Sequence, residues 1–289
     1  MKWSLVFCLW VVSSAAGAVI TRADVDDARY RVDPGVVPAL ADLPSEGHGV
    51  LIAPRWVLTA AHAAPMMMEG METDVSIGGV ARRVSRVVVH PGYRKVPEAL
   101  IKEVLASGDF ARLYASLGSS DDIALIELAS PVSGVAPMPL YRGDQEAGKT
   151  AELFGKGATG HGDHGQDPAS AHRTVLRHAF NVIEGADARY VWYRFDAPPA
   201  GLPLEGITGG GDSGGPLVIG TAASAQLVGL GSWSRYPKDH PFWKGWTPDR
   251  PFVGGLYGVV VYAVRVSRYA PWIDSVMAAP EEAHVETPK

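Results

Sequence analysis

Apolar residues in this chain fall in short runs separated by glycine, proline and polar turns, a rhythm that predicts strands joined by turns. Residues 49–53 read as one strand and, after a turn at Pro54, residues 55–59 as the next. Further strands are expected at 75–77, 84–89, 123–128, 175–183, 190–195, 217–219, 226–234 and 256–266, with residues 132–153 holding strands split by Pro137, Pro139 and Gly148. Two segments leave this rhythm. Across residues 97–117, Leu100, Ile101, Val104 and Leu105, then Phe110, Leu113, Tyr114 and Leu117, recur at three- and four-residue spacing. That is the mark of an amphipathic helix, or a helix pair divided at Gly108, inserted at the rim of a β domain. Residues 267–277 read as a closing helix broken at its start by Pro271.

Composition agrees with the strand reading. Glycine (33) and proline (22) are abundant in the 289 residues, which suits turns better than a helical bundle. The net charge of −5 and the absence of any Lys/Arg run argue against a nucleic-acid partner. Residues 1–18 read as a removable export leader. Lys2 supplies a positive start, Leu5 to Val12 an apolar run too short to span a bilayer, and Ala16-Gly17-Ala18 a small-residue cleavage site. The single cysteine, Cys8, lies inside that leader, so a product starting at Val19 has no disulfide. The expected organisation is a leader (1–18), one domain over 19–277, and a polar disordered tail (278–289). The mature product is expected to be secreted or periplasmic and monomeric, with no membrane attachment. In the loop over 155–170, His161, Asp163 and His164 lack the spacing of a fixed metal site, so a mobile surface loop is expected, with no metal and no cofactor. The aromatic stretch 235–254, with Tyr236, Phe242, Trp243 and Trp246, either packs down or lines a binding cleft.

Three places carry chemistry. Ser213 sits in Gly209-Gly210-Gly211-Asp212-Ser213-Gly214-Gly215-Pro216-Leu217, where the glycines permit turns and bring backbone N–H groups close to a ligand. A serine becomes a useful nucleophile only with a base to take its proton and donors to hold the oxyanion. The N–H groups of Gly211 and Ser213 are candidates for the second role. His62 follows two small residues at a strand end, and Asp122 heads a buried apolar run, where an ionised carboxylate needs a partner. Each of the three also has an ordinary structural reading: a tight turn, a packed histidine, an Asx-turn. Gly211 to Gly215 additionally fits G-x-S-x-G, the nucleophile elbow of α/β-hydrolases. That fold needs its acid and histidine after the serine, where only His240 and His284 stand, and an alternating βαβ pattern that this chain lacks.

Taken together, Thr59-Ala60-Ala61-His62, Asp122-Ile123-Ala124-Leu125 and Gly211-Asp212-Ser213-Gly214-Gly215-Pro216 resemble the three active-site signatures of the chymotrypsin-like (trypsin-fold) serine endopeptidases. The resemblance spans roughly residues 19–275. It implies an all-β fold of two packed six-stranded antiparallel β-barrels with a C-terminal helix, here with the short helical insertion. It also implies that His62 is general base and then acid, Asp122 rather than Asp121 orients it, Ser213 attacks, and Gly211 and Ser213 hold the oxyanion. Ser232, Trp233 and Ser234 would pair with a protein or peptide substrate as an added strand. The amine of a new N-terminus, Val19 after leader removal, would ion-pair with Asp212. Ile207 stands where trypsin-like enzymes carry an acid, which implies no preference for a basic residue before the scissile bond. Ala63, Gly47 and Gly209 stand where the family has cysteines, which implies a disulfide-free, bacterial-type secreted member. The competing expectation is a non-catalytic binding protein of the same fold, its cleft occluded by 97–117 or 235–254; an esterase on another fold is the third.

Overall fold

The computed structural model describes residues 16–17 and 19–279 except 45, 69, 71–72, 171, 174, 222–223, 245 and 248–251. Most of the expected leader, and the tail from residue 280, lie outside the described residues. The apolar runs of the first half close on themselves. Strands β1 (Leu40–Asp42), β2 (His48–Ala53), β3 (Trp56–Thr59), β4 (Asp74–Ile77), β5 (Val80–Val89) and β6 (Ala124–Leu128) form an antiparallel barrel in the order β1-β2-β3-β6-β5-β4. Closure leaves no free edge, and β3 and β6 are buried at every position. Glu127, the one acid inside β6, is neutralised by Arg86, whose Nε donates to it at 2.6 Å. β5 begins at Val80 rather than at residue 84, because Gly78 and Gly79, with φ of +60° and +76°, form a two-residue hairpin turn that matches strand twist.

The second half builds an open seven-stranded half-barrel. Strands β7 (Thr150–Gly155), β8 (Arg177–Val182), β9 (Gly185–Ala186), β10 (Tyr190–Arg194), β11 (Pro216–Ile219), β12 (Gln226–Arg235) and β13 (Val260–Arg265) run in the order β8-β7-β11-β12-β13-β10-β9. A small sheet of Gly165–Gln166, Gly160–His161, Ile20–Thr21 and Gly206–Ile207 accompanies it, and Val19, Ile20 and Ile207 share its core. The mostly-β, two-barrel expectation therefore holds, with the second barrel open.

Four local expectations change. Residues 132–149 form no strand, since Pro131, Pro137 and Pro139 remove ladder donors, and only β7 forms beyond them. The loop at 155–170 contains a short hairpin, Gly160–His161 with Gly165–Gln166. The last strand starts at Val260, not 256. The closing helix α3 (Val266–Ala278) is not broken at Pro271 but runs through it at its sixth residue, where proline gives up an N–H bond and crowds the Ser267 carbonyl, a cost offset by burial of Tyr269, Ala270 and Ile273. The insertion is a helix pair, α1 (Glu98–Ser107) and α2 (Ala111–Gly118), with Gly108 as the left-handed cap of α1. Its apolar face (Val104, Phe110, Leu113) packs on Trp243 and Trp246, so the aromatic loop after β12 is folded down.

Candidate active site

The register of two antiparallel strands brings the first pair of residues together. Thr59 at the end of β3 faces Ala124 at the start of β6, so the residues just beyond them, His62 in the 3-10 turn Ala61–Ala63 and Asp122, meet at the barrel mouth. The His62 backbone N–H donates to Asp122 Oδ1 at 2.9 Å, and Nδ1 lies 2.6 Å from Oδ2. That carboxylate oxygen also accepts from Ser232 Oγ at 2.6 Å. With its proton on Nδ1, His62 presents an acceptor at Nε2, which lies 2.8 Å from Ser213 Oγ. Burial favours the neutral imidazole. The Asp122 charge and hydrogen bond outweigh it and hold His62 above its ordinary value. Burial likewise opposes the Asp122 carboxylate, but the His62 charge and the bonds from His62 and Ser232 bring it below the usual range. Asp121 has a different place. It accepts from Arg189 Nε at 2.8 Å and Tyr269 hydroxyl at 2.7 Å, tying the first barrel to β10 and α3.

Ser213 is carried by the second half and locked to the first. Its carbonyl accepts the His48 N–H at 2.7 Å, while Gly214 N–H donates to the Gly231 carbonyl at 2.8 Å. Gly214 has φ +74°, and a Cβ there would run into Thr59 Oγ1 and the His48 carbonyl, so only glycine lets the serine turn seat against β2 and β3. Gly211 takes φ +80°, with Glu46 Oε1 2.9 Å from where its Cβ would be and His172 Nδ1 2.6 Å from the same oxygen. Ala16–Gly17 runs parallel to Gly210–Gly211.

Asp212 faces away from the cleft and is wholly buried. Its carboxylate accepts the Gly209 and Gly157 N–H groups at 3.2 and 3.3 Å and lies 3.6 Å from His48 Nε2. Burial raises its pKa, and the His48 and backbone contacts offset this only in part. Burial would depress His48, but Asp212 and Asp42 outweigh it and hold the histidine above its ordinary value. Asp42 Oδ1 lies 3.3 Å from His48 Nδ1, and Asp42 Oδ2 lies 3.0 Å from Lys156 Nζ. Sequence reasoning missed this second Asp–His–Asp cluster, in which His48 Nε2 accepts the Lys156 N–H at 3.2 Å and the two carboxylates stand at ion-pair distance. Its only signal is a histidine opening an apolar strand, and the partner emerges from the register that pairs Asp42 with His48.

The other candidate residues fall as follows. Val19 and Ile20 are buried, and Ile20 pairs with Ile207. Ile207 is itself 1 % exposed, in one cluster with Tyr193 and Val261. Trp233 pairs with Tyr262 and Ser234 with Val261, while Ser232 sits in a bulge that turns its hydroxyl to Asp122. A Cβ on Gly47 would lie 3.2 Å from that of Ala63, so the two cysteine-replaced positions are neighbours. Among the described residues no cluster of three or more His, Cys, Asp or Glu could hold a metal ion, and His161 Nδ1 instead lies 3.2 Å from Thr21 Oγ1. No described helix is long and apolar enough to cross a membrane.

Two β-barrel-like halves with a serine, histidine and aspartate in hydrogen-bond sequence between them define a trypsin-fold serine endopeptidase, and the fold excludes the α/β-hydrolase alternative. The trypsin family profile matches residues 29–245. A thrombin-like enzyme, CPI-enzyme 2 of Gloydius ussuriensis, is 29 % identical over 244 residues, covering 81 % of this chain and 79 % of the relative. Among solved structures, neuropsin, a serine protease expressed in the limbic system of mouse brain, superposes with a TM-score of 0.59 at 22 % identity, over 86 % of this chain and 98 % of neuropsin. The chain belongs to the trypsin family.

Proposed function

We propose that this protein is an exported serine endopeptidase that works through His62, Asp122 and Ser213, and that it cuts after small or medium apolar residues. The observation that carries the reading is the unbroken chain from Asp122 Oδ2 through His62 to Ser213 Oγ, at 2.6 and 2.8 Å. His62 Nε2 takes the Ser213 proton as Oγ attacks the peptide carbonyl. The N–H groups of Gly211 and Ser213 receive the oxyanion, and His62 then returns the proton to the leaving amine. Water, activated by the same histidine, releases the acyl group. Asp122 holds the tautomer and balances the imidazolium. The test is labelling of Ser213 by a fluorophosphonate, with Ser213→Ala as control. Failure of the wild-type protein to label would favour a binding protein with an occluded cleft.

Support for the preference comes from what lies beneath the serine segment. Ile207, Tyr193 and Val261 are buried there, and the Tyr193 hydroxyl lies 3.4 Å from Thr208 Oγ1. Ile207 offers no carboxylate to an Arg or Lys head, and burying such a charge unpaired is heavily penalised. Peptide nitroanilides ending in Ala or Val are expected to be cleaved roughly 100-fold faster than Arg analogues. Faster Arg cleavage would overturn the preference.

We further propose that leader removal after Ala18 frees the Val19 amine to pair with Asp212, a carboxylate that burial leaves in need of a cation. Val19 and Ile20 are already buried. N-terminal sequencing of the exported protein should read Val-Ile; a start beyond Ile20 would end this proposal. With Cys8 in the leader, the mature enzyme is a disulfide-free protease of bacterial type, stabilised by its two cores.

A further inference from the structure

Among the described residues, β12 has a strand on each side only as far as Leu230. β11 faces Gln226 to Leu230, while from Gly231 to Arg235 only β13 continues alongside. The open edge starts at the nucleophile, since Gly231 exchanges backbone bonds with Gly214 and Gly215 at 2.8 and 2.9 Å. A peptide with its reacting carbonyl at Ser213 and its acyl-side chain on this edge runs antiparallel to β12, leaving the serine toward Arg235. Ser232 lies in the bulge, so Trp233 to Arg235 keep regular ladder positions, and at about 3.4 Å per residue this edge takes about three residues.

Along this edge, at Trp233, side chains from both halves meet. Tyr114 of α2 stacks on Trp233 with centroids 6.2 Å apart and planes at 21°, and Trp233 lies parallel to Tyr262 at 4.0 Å. The Tyr190 hydroxyl donates to the Leu117 and Ser120 carbonyls at 3.1 and 2.8 Å, fixing the end of α2 to the second half. From the segment after β12, the rings of Trp243 and Trp246 lie 5.0 and 5.7 Å from Phe110. Trp246 also approaches the α1–α2 junction so closely that a Cβ on Gly108 would come within 2.8 Å of it. Swinging the helix pair away would expose Val104, Phe110 and Leu113, all buried.

We propose that this aromatic bridge is an acyl-side stop: substrate binds as an extended strand for about three residues before the scissile bond and no further. The enzyme then favours bonds close to the start of a peptide chain. The inference rests on the serine-protease reading above. It is tested with N-acetylated peptide nitroanilides carrying one to six residues before the bond, assayed on the mature wild-type protein and on Tyr114→Ala and Trp246→Ala. In the wild type kcat/KM should rise to three residues and fall roughly 10-fold at six, and each variant should bring the six-to-three ratio to within about 3-fold of unity. A defect that merely loosens the fold lowers every length alike and leaves the ratio unchanged. Rates that keep rising through six residues in the wild type, or a ratio that neither variant moves, would overturn the stop. Absent fluorophosphonate labelling of wild-type Ser213 would instead overturn the protease reading, and the stop with it.

Discussion

Two aspartate–histidine pairs flank Ser213, built from the same groups and placed in opposite environments. His62 keeps 34 % of its side chain accessible, whereas His48 and Asp212 are both at 0 %. Asp122 accepts the His62 backbone N–H and ring nitrogen and the Ser232 hydroxyl, all within 2.9 Å, and its charged form is favoured. Asp212 has weaker bonds, at 3.2 Å and beyond, and burial pushes it toward the neutral form. Burial alone therefore does not set the state of a carboxylate; the number and length of the donors aimed at it do. The first pair is satisfied and partly open to solvent. The second is wholly enclosed, and its carboxylate is held by fewer and longer bonds.

The largest effect that can break this contrast is catalytic. His62→Ala should lower kcat by roughly 10⁴-fold or more while leaving thermal stability nearly unchanged, because the ring sits at the cleft and not in a core. Next, Asp122→Asn should cost about 10⁴-fold through the wrong tautomer, and Asp212→Asn about 10²–10³-fold through a misplaced oxyanion strand. Equal losses would mean the two acids do the same work.

The pH profile sharpens the comparison further. Catalysis needs neutral His62, so kcat/KM should rise with pH through a midpoint above the ordinary histidine value of 6.5. Asp122→Asn removes the charge that raises it, and the midpoint should move down. His48 affects stability instead. Its raised pKa means its contribution is complete below 6.5 and is lost as pH rises through its folded value. The Tm gap between wild type and His48→Gln should therefore be wider at pH 6 than at pH 9, and an equal gap would show that His48 carries no charge in the fold.

The smallest effect concerns Asp42, at the far end of the buried cluster. Burial opposes its charge, but His48 and Lys156 hold its pKa down at about 2. Asp42→Asn should cost about 2 kcal/mol at neutral pH, measured by urea unfolding. Because a depressed carboxylate stabilises above its unfolded value, that difference should disappear as pH falls from about 4 to about 2.

How much of this was legible in the chain follows from how local each feature is. His62, Asp122 and Ser213 announce themselves by their neighbours: two alanines before the histidine, an apolar run after the aspartate, glycines around the serine. The helix pair shows in its spacing and in Gly108. Residues 132–149 misled because apolar content outvoted the prolines, and Pro271 misled because the buried face of the helix around it overrides a local helix breaker.

By itself the sequence determined most of the strand and helix segments, the glycine-set turn and the three side chains that meet between the halves, since these depend on backbone preferences and side-chain chemistry within a few residues. Only the tertiary structure decided that Asp212 and Asp42 both approach His48, that Tyr114 stacks on Trp233, and that Trp246 packs on Phe110. Those contacts join residues far apart in the chain, and they are set by strand register and by which loop faces cross the cleft, neither of which leaves a periodic trace in the residues themselves.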